Sequence, residues 1–173
     1  MEDFEIINLK DFNNAPNIEQ FLILVSTIDS ESEFMLFDAN ERKINSNTIQ
    51  SVSNSLNDEL IVYLIKSKES MTFQGYISGI RKKELKVRHS ISIAMGVKKE
   101  AQGKKFGNIL LSKMISEFRS DKSLIRLFLH VMVVNQKAIN LYKKNGFEIE
   151  GVLRKNIYQK GEFIDDYVMS IVK

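Results

Sequence analysis

The chain has 173 residues, a mass of 20.0 kDa and no cysteine, with 43% hydrophobic and 27% charged residues. This fits one globular domain and excludes wholesale disorder, disulfides, thiolate zinc sites and a cysteine nucleophile. The net charge of +3 conceals an asymmetry: residues 1–60 hold three basic against twelve acidic side chains, whereas residues 81–105 hold nine basic side chains against Glu84 and Glu100.

Taken in chain order, residues 5–9 alternate weakly and predict a first strand. After Pro16-Asn17, the apolar positions Ile18, Phe21, Leu22, Val25 and Ile28 follow helical spacing. Residues 30–46 are mixed and carry no clear element. Ile49, Val52 and Leu56 predict a short second helix, and residues 59–65 and 71–80 predict two strands, with Gly75 and Gly79 read as bends. Residues 87–97 form the next strand. Val87, Ile91, Ile93, Met95 and Val97 give it one bulky face, while Ser90, Ser92, Ala94 and Gly96 give the other only small side chains. One face is thus a core face, and the other admits something close to the backbone.

A basic turn over 98–107 leads into a helix over 105–119, where Phe106, Leu110, Met114 and Phe118 repeat at i+4. Residues 124–134 read as an apolar strand. Residues 135–145 read as a helix with Gly146 at its C′ position. Residues 147–158 and 163–172 read as a hairpin across the turn 159–162. The order β α α β β β α β α β β specifies an α/β (α+β) fold: a mixed sheet with helices on both faces.

The unit that carries chemistry is the strand 87–97, the turn and the following helix. A helix N-terminus exposes unpaired N–H groups and a partial positive charge, which suit a phosphate. The turn Gln102-Gly103-Lys104-Lys105-Phe106-Gly107 adds two glycines and two lysines. It is neither a Walker A loop nor a dinucleotide G-x-G-x-x-G turn, and alone it reads equally as a solvated helix start. Asn135 alone reads as an N-cap, Tyr142 as a core tyrosine, and His130 as a core histidine. The run Arg81, Lys82, Lys83, Lys86 and Arg88 reads as a solvated hairpin, and no nucleic-acid-binding motif accompanies it.

Gln102-x-x-Lys105-x-Gly107 resembles the pyrophosphate loop of the GNAT superfamily of N-acetyltransferases, in which a glycine stands at the place of Lys105. Asn135-x-x-Ala138-x-x-Leu141-Tyr142-x-Lys144-x-Gly146-Phe147 resembles the superfamily's second signature. Glu150-Gly-x-x-Arg154 and Gly161-x-Phe-x-Asp165-Asp-x-x-Met169 are similar to bacterial members near the polyamine and ribosomal-protein acetyltransferases. The likeness runs from about residue 60 to the end, while residues 1–58 match in layout only.

The resemblance implies a mostly antiparallel sheet of about seven strands, with acetyl-CoA bound where the parallel strands 87–97 and 124–134 splay. It implies a division into acceptor-side helices (1–58) and an acetyl-CoA-binding core with the C-terminal hairpin (59–173). Backbone groups of Met95, Gly96 and Val97 would hold the pantetheine arm and polarise the thioester carbonyl. Gln102, Gly103, Lys104, Lys105, Phe106, Gly107 and Asn108 would cradle the pyrophosphate. Asn135, Ala138, Tyr142 and Lys144 complete the cofactor-binding set, with Asn135 bonding the arm. Tyr142 would face the thioester sulfur as general acid.

Two departures bear on this. If Lys105 needs φ > 0 it is strained by ~1 kcal/mol or more; a helical backbone there is favoured. Ser92 stands where many relatives carry a glutamate base, and serine cannot take an amine proton at neutral pH. Glu31, Glu33, His130 or bulk solvent would then accept it.

The expected function is acetyl transfer to a primary amine of a cationic small molecule such as a polyamine, since residues 1–60 are acidic. A ribosomal-protein or peptide Nα-acetyltransferase and a non-catalytic acyl-CoA-binding module are the alternatives. No metal, nucleic acid or membrane is expected as a partner: His89 and His130 lie far apart, and no apolar run approaches the ~18 residues that span a bilayer. Met1-Glu2-Asp3 is acidic where a signal peptide is basic, so a cytoplasmic location is expected. Monomer and homodimer both stay open.

Overall fold

The computed structural model describes residues 3–56 and 59–173, so the Met1-Glu2 start and the expected boundary at residue 58 lie outside the described residues. The chain runs β1 (Phe4–Asn8), α1 (Ala15–Glu31), α2 (Ser46–Ser55), β2 (Leu60–Ser67), β3 (Phe73–Arg81), β4 (Ser90–Val97), α3 (Phe106–Ser120), β5 (Arg126–Met132), α4 (Gln136–Lys144), β6 (Glu148–Gln159) and β7 (Glu162–Val172). The seven strands among the described residues form one mixed sheet in the order β1-β2-β3-β4-β5-β7-β6. Every neighbouring pair is antiparallel except β4 with β5.

The helix boundaries follow from local chemistry. Asn14 caps α1 by accepting from the Asn17 N–H at 3.0 Å, and Pro16 stands in the first turn, where its missing N–H costs nothing. Asn45 and Thr48 form a reciprocal capping box at α2. The predicted stripe of α3 is buried throughout, with Phe106, Leu110, Met114 and Phe118 each at most 3% exposed. Gly146 takes φ +90° behind α4, the left-handed stop that glycine adopts without a Cβ clash. The last hairpin turns on Lys160 and Gly161, both with positive φ, as a two-residue turn matched to strand twist requires.

The sheet separates two cores. Tyr63, Ile65, Ile77, Ile91, Ile93, Leu127 and Leu129 pack against α3 and α4. Val62, Leu64, Phe73 and Tyr76 pack against α1 and Leu56 on the other face. Helices therefore cover both faces, as expected.

Several expectations need correction. β4 begins at Ser90, and Val87 lies in the preceding turn, 41% exposed, rather than on the strand's core face. Gly79 is not a bend but a close approach: a Cβ there would come within 2.6 Å of Ile91 Cδ1. The strand over 124–134 is shorter, and its burial alternates, so His130 is exposed and not a core residue. Across the bulge of the last hairpin Asp165 Oδ1 accepts the Lys155 N–H at 2.7 Å, and Asp166 Oδ2 accepts from Asn156 Nδ2 at 2.9 Å. The basic run behaves as a solvated hairpin, with residues 82–89 exposed. No helix among the described residues is long and apolar enough to cross a membrane.

Candidate active site

β4 and β5 share register only at Ser90↔Arg126, Ile91↔Leu127 and Ser92↔Phe128. Beyond Ser92 the two strands part. β4 continues to Val97 paired with β3, and β5 continues to Met132 paired with β7. Each limb thus keeps one partner and turns its other backbone edge into a wedge-shaped opening. Unpaired strand edges need hydrogen-bond partners, so the opening suits an extended polar chain laid between the limbs. Met95, Gly96 and Val97 form the far end of the β4 limb, each partly buried.

Gly96 is small for a reason the sheet supplies. A Cβ there would stand 2.7 Å from Ile28 Cγ2 of α1 and 3.3 Å from Tyr76 Cε1. On that face α1 lies directly against the strand.

The basic turn follows β4 through a short 3₁₀ segment, Lys99–Ala101. Gly103 has φ +83° and a Cβ built on it would meet nothing within 4 Å, so the turn is open there. Gln102 Oε1 accepts from Lys137 Nζ at 3.0 Å, and Asn108 Oδ1 accepts from Asn145 Nδ2 at 3.0 Å. These two bonds tie the turn and the start of α3 to the two ends of α4. Phe106 turns its ring into the core, 5.2 Å from Phe4, and offers the turn only its N–H. Among the described residues no side chain caps α3, so the N–H groups of its first turn, at Phe106, Gly107 and Asn108, face outward with the positive end of the helix dipole.

Lys105 departs from the sequence expectation. It is the N-cap of α3 at φ 65°, ψ 10°, in the left-handed region and not helical. The turn needs this φ to swing from Gly103 into the helix, and here lysine takes the strain that glycine would avoid. Lys105→Gly should therefore be more stable than Lys105→Ala by about 0.5–1 kcal/mol, the left-handed cost less glycine's extra unfolded-state entropy. Chemical denaturation checks this, and equal stabilities would show that the conformation costs nothing.

On α4, Asn135 is the N-cap and accepts the Ala138 N–H at 3.2 Å. Its amide group is thereby oriented at the end of β5. Lys144 is exposed at the other end. Tyr142 is 9% exposed with its ring 5.7 Å from Phe147, and burial pushes its hydroxyl up to about 12. Tyr76, on β3 opposite Gly96, is also raised, chiefly by burial, then affected by Arg42, Asp29 and Tyr142.

Of the base candidates, Ser92 is the last paired residue before the strands part. Glu31 Oε2 accepts the Lys99 N–H at 2.7 Å, and Glu33 is ion-paired with Lys160. Both carboxylates hold loops together. His130 lies on the same sheet face as Ser92, since Phe128 is the register partner of Ser92 and His130 stands two residues further along β5. Asp29 and its neighbours escaped the sequence reading. The available signal was an acidic residue four positions after Val25 on the buried stripe of α1.

Residues 28–147 match the family profile described as "Acetyltransferase (GNAT) family". The L-amino acid N-acetyltransferase AaaT of Escherichia coli K12 is 50% identical over 48 residues, 28% of this chain and 30% of that protein. The spermidine N(1)-acetyltransferase of Vibrio cholerae is 30% identical over 87 residues, 50% of each chain. The chain thus spans half or less of the length of these two curated relatives. A GNAT-family acetyltransferase structure from Streptococcus pneumoniae superposes with a TM-score of 0.88 at 24% identity, over 99% of this chain and 100% of the other, and so shares the fold. With two thirds of its length on the family profile, and with the parted parallel strands and the open helix N-terminus that follow, the chain belongs to the acetyltransferase (GNAT) family.

Proposed function

We propose that the protein is an acetyl-CoA-dependent N-acetyltransferase acting on a primary amine of a cationic small molecule. The observation that carries this is the parting of β4 and β5 after Ser92, with an uncapped helix N-terminus following the β4 limb. In this reading the pantetheine arm bonds the free edge of β4 at Met95–Val97 and the Asn135 amide. The N–H groups over 103–108, with Lys104 and Lys105, take the pyrophosphate. Ala138 and Lys144 border the cofactor along α4. The neutral amine attacks the acetyl carbon, a C–N bond forms, the C–S bond breaks, and Tyr142 gives its proton to the departing thiolate.

Proton removal from the amine has no carboxylate at Ser92 to serve it. Glu31 and Glu33 are engaged elsewhere. Solvent or His130 takes that role in this reading. The acceptor class rests on the acidic first sixty residues, and a relative named for spermidine supports it. A second relative is named for L-amino acids, so the deciding experiment offers both kinds of amine, together with N-terminal peptides, and reads free thiol released from acetyl-CoA. Release with polyamines above the other acceptors is expected. A thermal upshift with acetyl-CoA but no release with any amine would instead favour a non-catalytic acyl-CoA-binding module.

A further inference from the structure

We infer that Asn145 is a positioning residue, which fixes the side-chain amide of Asn108 so that Asn108 Nδ2 donates to the pyrophosphate of CoA; this rests on the acetyl-CoA-dependent reading above. Asn145 is the C-cap of α4, and its backbone N–H turns to Tyr142 O at 3.0 Å, as the last turn tightens. The Leu141 carbonyl is met by the Asn145 side chain instead, whose Nδ2 donates to Leu141 O at 2.9 Å. The same Nδ2 donates to Asn108 Oδ1 at 3.0 Å. A backbone carbonyl can only accept, so the atom of Asn145 that faces Leu141 is the nitrogen. That nitrogen carries two hydrogens, and Leu141 O and Asn108 Oδ1 take both. The atom of Asn108 that receives the second hydrogen must be its oxygen. Asn108 is thereby held in one orientation, with its oxygen toward α4 and its NH2 group away from it.

Asn108 is the third residue of α3 and is exposed. Side chains on a helix lean toward its N-terminus, so this amide lies over the first turn, beside the outward N–H groups of Phe106, Gly107 and Asn108. Oδ1 is engaged, whereas Nδ2 makes no hydrogen bond among the described residues. A Cβ on the neighbouring Gly107 would stand 3.3 Å from Met95 Cε and 3.6 Å from Leu141 Cδ2. The turn therefore sits between the β4 limb and the same residue of α4 whose carbonyl orients Asn145. An amide N–H bonded to a phosphate oxygen is charge-assisted, while an amide oxygen turned that way would repel the phosphate. A freely rotating asparagine offers either atom. The chain from Leu141 through Asn145 to Asn108 removes the wrong choice before the ligand arrives, which is preorganisation of the site.

The experiment is calorimetric titration of the full chain with CoA and with pantetheine, which lacks the phosphates. Asn108→Ala removes the donor and should weaken CoA binding at least about tenfold, the scale of a hydrogen bond to a charged group. Asn145→Ala leaves the donor but frees its orientation, and should weaken CoA binding only about two- to fivefold. Neither variant should change pantetheine affinity. The unequal losses are the signature. Both variants delete the same bond between α3 and α4, so a bond that served only to tie the helices would weaken CoA equally in the two. Equal losses, no loss in Asn108→Ala, or a matching loss of pantetheine affinity overturns the inference while leaving the enzyme reading intact. A second measurement needs no variant to fold: in isotope-labelled wild type the NMR signals of the Asn108 side-chain NH2 group should shift with CoA and stay in place with pantetheine. Signals unmoved by bound CoA overturn the inference as well. Wild type that binds no CoA overturns the acetyl-CoA reading and this inference with it.

Discussion

Replacing Tyr142 with phenylalanine is expected to lower kcat by about 10²-fold or more, the usual scale of a general-acid contribution, with CoA affinity and fold retained. The substitution removes one hydroxyl and leaves the ring, which packs 5.7 Å from Phe147 in the core under α4. Packing is therefore preserved, and a loss of rate reports the proton. Burial holds the hydroxyl up at about 12, so it stays protonated throughout the neutral and mildly alkaline range. The kcat profile of the wild type should accordingly show no fall from tyrosine ionisation between about pH 7 and pH 10. An unchanged kcat in the phenylalanine variant, with the chemical step shown to be rate-limiting, would reduce Tyr142 to a packing residue.

Gly107→Glu should cost at least about 100-fold in CoA affinity. Two charges of like sign within about 4 Å repel by several kcal/mol at the dielectric of a protein surface, and CoA brings several negative charges. Gly107 lies in the first turn of α3. A Cβ there would stand 3.3 Å from Met95 Cε and 3.6 Å from Leu141 Cδ2, both ends of flexible side chains, so the fold can absorb the change. The new carboxylate would itself interact favourably with the helix N-terminus. The expected pattern is thus a melting temperature near wild type without ligand and no upshift with CoA, measured by thermal denaturation at low salt. A normal CoA upshift in this variant would remove the first turn of α3 from the binding site. Gly107→Ala should show only a modest loss, through displacement of Met95.

Much of the fold was legible because it is set by local chemistry. The stripe of α3, the Pro16 helix start, the Gly146 stop and the Lys160-Gly161 turn depend on residues within one or two turns of each other. The small face of β4 was legible too, but what lies close to its backbone at Gly96 is Ile28 of α1. What required the tertiary structure depends on residues far apart in sequence. Insertion of β7 between β5 and β6 is a pairing choice that hydrophobic pattern does not encode, since either strand presents similar alternation. The left-handed backbone of Lys105 is imposed by the need to join β4 to a helix already fixed by its core stripe, which overrides lysine's own preference. His130 looked like a core residue in an apolar run, yet it is exposed, because α1 and α2 do not cover that part of the sheet face. Asp29 shows the same limit most clearly. Its helical position was readable, but its burial and its ion pair with Arg42 exist only once the segment after α1 folds back beside it.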